Sequence, residues 1–108
     1  MNKCVWQILV PCKRNDGRPI HVRFHRIWDK KVKEISGGLT IHLPTKGKWI
    51  NPEGKLFEEK MIPVTFIATR EEAEDICRYT IKYYEQEAVL CYKLADEYIL
   101  MHENEKQK

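Results

Sequence analysis

Residues 56–72 read LFEEKMIPVTFIATREE, a run of strand character that passes straight into a helix start. Thr69, with Glu72 three positions on, is a capping box: the hydroxyl accepts an orphan N–H of the first turn, and the carboxylate returns to the N-cap N–H. A helix starting there places Ala73, Ile76, Cys77, Thr80, Ile81 and Tyr84 on one face. On the other face, Glu74 and Arg78 stand at the favourable i,i+4 spacing. Upstream, Asn51-Pro52-Glu53-Gly54 suits a type I turn, with Asn first, Pro second and Gly fourth. Leu56–Ala68 is therefore the second arm of a long hairpin. Pro63 inside it predicts an edge position or a bulge, because proline brings no N–H to a ladder.

The first arm is Gly38–Leu43, where Leu39, Ile41 and Leu43 alternate with Thr40 and His42, continued by Lys48-Trp49-Ile50. Before it, Phe24, Ile27, Trp28, Val32 and Ile35 recur at helical spacing between Ile20 and Ile35. Ser36-Gly37-Gly38 stops that helix, glycine being suited to the left-handed cap. Residues 4–12 (CVWQILVPC) form a first strand ended by Pro11, and Lys13–Pro19 is a polar loop. After the second helix, strands Ala88–Leu94 and Tyr98–His102 flank a tight turn near Ala95-Asp96, and residues 103–108 form a frayed polar tail. The order β-α-β-β-α-β with an additional C-terminal strand reads as a ferredoxin-like α+β sandwich, a single domain over residues 1–108.

Both helices of such a sandwich cover one sheet face, so the alternation of the strands reports on the other. Cys4, Trp6, Ile8 and Val10 oppose Val5, Gln7 and Leu9, and Ile62, Val64, Phe66 and Ala68 oppose Met61, Pro63, Thr65 and Ile67. Both sides are apolar enough to want cover. A second copy of the chain is the simplest cover, and a homodimer through the open sheet face is expected.

The chain has 108 residues, too few for a second core. No apolar run approaches the ~18 residues that span a bilayer, and no leader pattern precedes the first strand, so a cytoplasmic protein without membrane association is expected. Cys4, Cys12, Cys77 and Cys91 make no C-x-x-C pair and read as four free thiols in a reducing compartment, with no metal site or cofactor expected. Net charge is +3, but residues 1–60 carry 13 Lys/Arg against 6 Asp/Glu, whereas residues 61–108 carry 6 against 10. Arg23, Arg26, Lys30 and Lys33 share a stripe of the first helix that could take an anion. No aromatic residue is interleaved on the stripe, so nucleic-acid binding through it is expected to be weak.

Catalytic patterns are absent: there is no G-x-S-x-G, P-loop or dinucleotide fingerprint. His21 and His25 stand i,i+4 on the first helix, without the Glu of H-E-x-x-H and among cationic neighbours. Glu58 and Glu59 are adjacent on a strand, hence on opposite faces, and cannot act as a carboxylate pair. His42 opposes Leu39 and Ile41, faces the open side, and can join Gln7 and Thr65 in a polar cluster.

Gly38-Leu39-Thr40-Ile41, Gly47-Lys48-Trp49, Gly54, Glu59 and Gln86-Glu87-Ala88-Val89-Leu90 resemble the pattern of a family of short, uncharacterised bacterial proteins. That pattern reads G-L-T-V, G-x-W, a Gly five residues after the Trp, a Glu five after that Gly, and Q-E-S-V-L. Roughly half of the chain, about residues 38–90, is covered, and the first helix departs from it. The resemblance implies a ferredoxin-like α+β domain and no particular activity. Trp49 can pack across the hairpin on Phe57 or Leu56. His42, Trp49, Glu59 and Gln86 are the candidate ligand-binding residues.

Three functions are compatible with these features. The first is a non-enzymatic accessory protein, of mobile-element origin, that binds a small ligand or a protein partner. An enzyme of the dimeric α+β barrel type, acting on a small organic substrate, is the second. A nucleic-acid binder using the basic first helix is the third.

Overall fold

In the computed structural model, which describes residues 2–103, the apolar segment Cys4–Pro11 forms β1 and lies inside the sheet. Around it the chain runs α1 (Val22–Ser36), β2 (Thr40–Ile41), β3 (Thr45–Ile50), β4 (Leu56–Ala68), α2 (Arg70–Tyr83) and β5 (Cys91–Ala95). The strands are antiparallel in the order β2-β4-β1-β5, and β3 also pairs with β4. Taken with β2 and β3 as two pieces of one strand, this is the ferredoxin-like βαββαβ order, with both helices on one face.

Alternation decides what each face holds. Trp6, Ile8 and Val10 of β1 and Val64, Phe66 and Ala68 of β4 point toward the helices and are buried against Trp28, Val32, Ala73 and Ile76. Two indoles are buried with their N–H groups satisfied: Trp6 donates to the Ala68 carbonyl at 2.9 Å, and Trp28 to Thr80 Oγ1 at 3.0 Å. The α1 periodicity holds for Trp28 and Val32, but Ile27, expected with them, is 54% exposed. His21 caps α1, its Nδ1 accepting the Arg23 N–H at 3.1 Å. Gly37, at φ 92°, closes the helix with its N–H on the Lys33 carbonyl at 2.7 Å.

Several readings are corrected. The first hairpin arm is broken into β2 and β3, because Pro44 cannot donate to the ladder. Pro63 is not on an outer edge, since it pairs with Leu9 in the β1–β4 ladder, but it does sit opposite a bulge, the pairing of β4 shifting by one residue between Ile41–Val64 and Thr45–Met61. It faces the gap between β2 and β3, its carbonyl accepting the His42 N–H at 2.9 Å, so its missing N–H is lost where no strand needs it. Tyr98–His102 forms no strand; the chain bends at Asp96, whose carboxylate meets Lys93 at 2.6 Å. The fifth strand of the sheet comes instead from the broken arm. On α2 the ion pairs are Arg70–Glu74 and Asp75–Arg78, so Glu74 and Arg78 are not partners. Of the tail expected to fray, residues 104–108 lie outside the described residues.

β4 is longer than β1. Its N-terminal part, with β3, projects past Pro11 as a two-stranded arm. The radius of gyration is accordingly 15.8 Å, against ~13 Å for a compact chain of this length, and the extents are 58 × 30 × 24 Å.

Candidate functional site

The arm and the uncovered face of the sheet form one continuous surface. Cross-strand pairing puts Trp49 opposite Phe57, Gly47 opposite Glu59, and Thr45 opposite Met61, and the same parity continues through Pro63, Thr65 and Ile67. β1 adds Val5, Gln7 and Leu9, all half-exposed. Among the described residues, no second layer covers this surface.

Across this apolar field runs a line of four polar side chains, one from each row of the sheet. Thr65 Oγ1 donates to Gln7 Oε1 at 3.3 Å. Gln7 Nε2 donates to the Tyr92 hydroxyl. His42 Nε2 meets Thr65 Oγ1 at 2.7 Å. Because the Thr65 proton is committed to Gln7, His42 is the donor in that contact, which leaves its Nδ1 lone pair free. The line is thus polarised, with an acceptor at the His42 end and the Tyr92 O–H as a donor at the other. The grouping of His42 with Gln7 and Thr65 follows from alternation. Tyr92 does not, since it enters through the β1–β5 register, which shifts between Val5 and Trp6.

Trp49 and Phe57 stack at 4.5 Å between centroids and 13° between planes, and Lys55 stands 5.2 Å over the Phe57 ring. Glu59 projects from the same face and has no cross-strand side chain opposite it, Gly47 being its partner. A methyl group at Gly47 would meet only Met61 Cε, the far end of a flexible side chain that lies across the glycine. Three of the four candidate residues, His42, Trp49 and Glu59, therefore share one face. Gln86 does not join them. Its amide reaches Asn15 Oδ1 at 3.3 Å and the Tyr84 carbonyl at 3.0 Å, fastening the end of α2 to the loop before α1.

On the helix layer, Arg23, Arg26, Lys30 and Lys33 are all exposed, and none has an ion-pair partner among the described residues. The aromatic residues nearby are engaged with one another. Arg14 lies 4.7 Å over Phe24, Phe24 stacks on Tyr83 at 4.2 Å, Tyr83 on Tyr79 at 5.3 Å, and Lys31 caps Tyr79 at 5.9 Å. Ring faces used in such a column are not open to a nucleobase. His25 meets the Tyr84 hydroxyl at 2.6 Å; partial burial holds the imidazole below its ordinary pKa and pushes the Tyr84 phenol well up. Among the described residues, no three His, Cys, Asp or Glu side chains gather in a way that could hold a metal ion.

No family model and no curated protein matches the sequence. Solved structures do match in fold. The divalent cation tolerance protein CutA1 of Thermus thermophilus superposes with a TM-score of 0.64 at 13% identity, over 97% of this chain and 91% of that one. The periplasmic divalent cation tolerance protein CutA of Archaeoglobus fulgidus gives 0.66 at 13%, over 91% and 87%. A phage SAM lyase in complex with S-methyl-5'-thioadenosine gives 0.63 at 12%, over 92% and 94%. The chain has the CutA1-like variant of the ferredoxin-like fold.

Proposed function

We propose that this chain is a small self-associating binding protein whose working surface is the uncovered sheet face, with His42, Thr65, Gln7 and Tyr92 at its centre. The observation that carries the reading is the polarised line itself. Four side chains spend their hydrogen bonds on one another across an apolar field and leave one acceptor and one donor at the ends. A partner covering the field gains apolar burial of ~25 cal/mol per Å², and must meet those two ends or leave them unpaired at a cost of ~1–3 kcal/mol each. That combination favours a specific occupant. A second copy of the chain covers the apolar part, and a small ligand or a protein partner held near Trp49 and Glu59 uses the arm. The CutA proteins that share this architecture are named for divalent cation tolerance and not for a reaction, which supports a reading without catalysis.

A second reading, an enzyme acting on a small organic substrate, is favoured by one observation: the phage lyase matches over nearly the whole of both chains. Under it Glu59 is the acid or base, being the carboxylate of the open face without a cross-strand side chain.

Light scattering at micromolar concentration tests the first reading. The expected mass is a multiple of the single chain, and Leu9→Lys shifts it downward because a charge is driven into the interface. A single-chain mass for the unaltered protein overturns it. Calorimetric titration with S-methyl-5'-thioadenosine separates the two readings. Binding that Glu59→Gln abolishes promotes the enzymatic one.

A further inference from the structure

We propose that Cys77 and Cys91 form a dithiol that low-molecular-weight disulfides oxidise to an intramolecular disulfide, clamping α2 to β5. Cys91 pairs with Ile8, whose side chain is in the core, so its own side chain points up toward the helix layer. Cys77 follows Ile76 on α2 and packs on the same core from above. The two thiols are side-chain neighbours across the helix–sheet junction, and both are free and half-buried. Cys4 and Cys12 are separated by the length of β1, ~26 Å at strand rise, and cannot pair with each other.

The chemistry of the pair is asymmetric. The Cys91 S–H donated to Cys77 Sγ stabilises a Cys77 thiolate, and Arg78 and Arg70 add to this while burial and Glu74 oppose it; the thiol is brought down to about 7. Cys91, as the donor and the more buried of the two, is pushed up. Cys77 is thus the attacking group and Cys91 the resolving one. Cys77 thiolate attacks one sulfur of the small disulfide, forming a mixed disulfide and expelling one thiolate. Cys91 then gives its proton to solvent and attacks Cys77 Sγ, expelling the second thiolate. Two protein thiols are oxidised by two electrons, and the small disulfide is reduced to two thiols.

Incubation of the full chain with oxidised glutathione near pH 8, acid quench, alkylation and non-reducing tryptic mapping test this. The expected product links residues 71–78 to residues 83–93, with Cys4 and Cys12 alkylated. Oxidation should also raise the thermal midpoint on the order of ten degrees, reversibly with dithiothreitol, because closing a loop of about 15 residues lowers the entropy of the unfolded chain. Cys91→Ser should stop the reaction at glutathione on Cys77. Glutathione on Cys4 or Cys12 without the 71–78 to 83–93 linkage overturns the proposal, as does an unmodified Cys77. The mapping uses the unaltered chain and so does not depend on any variant folding.

Discussion

Trp28 fills the space between α1 and α2, and its N–H depends on one hydroxyl, that of Thr80, which itself donates to the Ile76 carbonyl at 2.6 Å. Thr80→Val keeps the volume but leaves the indole N–H buried without an acceptor. Unfolding in urea should show a loss of ~1–3 kcal/mol, and Thr80→Ser should recover most of it. His25 sets a pH dependence. Its folded pKa is depressed below 6.5 by burial, so the unfolded chain binds the proton more tightly. The contribution is intact above about 6.5 and is lost as pH falls through the folded value. Urea midpoints should therefore drop between about pH 7.5 and 5.5, and His25→Gln should flatten the drop. At this scale the sequence reads unevenly. His42, Gln7 and Thr65 are legible as neighbours, because a period of two assigns strand faces without knowledge of the fold. Gln86 and the Cys77–Cys91 contact are not, since each depends on how α2 settles against distant chain.

Elements with local signals are the legible ones. The capping box of α2 is present in full, Thr69 Oγ1 accepting the Glu72 N–H at 3.1 Å and Glu72 Oε1 accepting the Thr69 N–H at 2.8 Å. Thr69→Ala should cost ~1 kcal/mol in a thermal melt, with Thr69→Ser close to the parent. The turn at Asn51–Gly54 forms as read, with Gly54 at φ 84° donating to the Asn51 carbonyl at 2.9 Å. The break between β2 and β3 depends instead on Pro44 and Pro63 facing the same gap, a coincidence that pairing register alone reveals. Tyr98–His102 carries a strand-like pattern, but Ala95-Asp96-Glu97 lacks the Gly or Asn that a two-residue hairpin turn favours. The chain leaves β5 without returning along its edge.

For the whole molecule, the charge division along the chain becomes a division between helices. Arg23, Arg26, Lys30 and Lys33 of α1 have no ion-pair partner among the described residues, whereas Glu74 and Asp75 of α2 are held by arginines of their own helix. With a net charge of only +3 and no open ring faces beside the stripe, filter binding to DNA or RNA should be weak and should vanish near ~150 mM salt. Sub-micromolar binding there that Arg23→Glu with Arg26→Glu abolishes would reverse this ranking. β4 serves body and arm at once, pairing with β1, β2 and β3 along one uninterrupted run. Its length is therefore a matter of parity. One residue inserted between Met61 and Val64 would turn over everything on one side of it, sending Phe66 outward or Trp49 and Glu59 to the opposite face of the arm. The tip at Asn51–Lys55 carries no such constraint, so the chain can grow or shrink there, and the reach of the arm can change while the core below stays as it is.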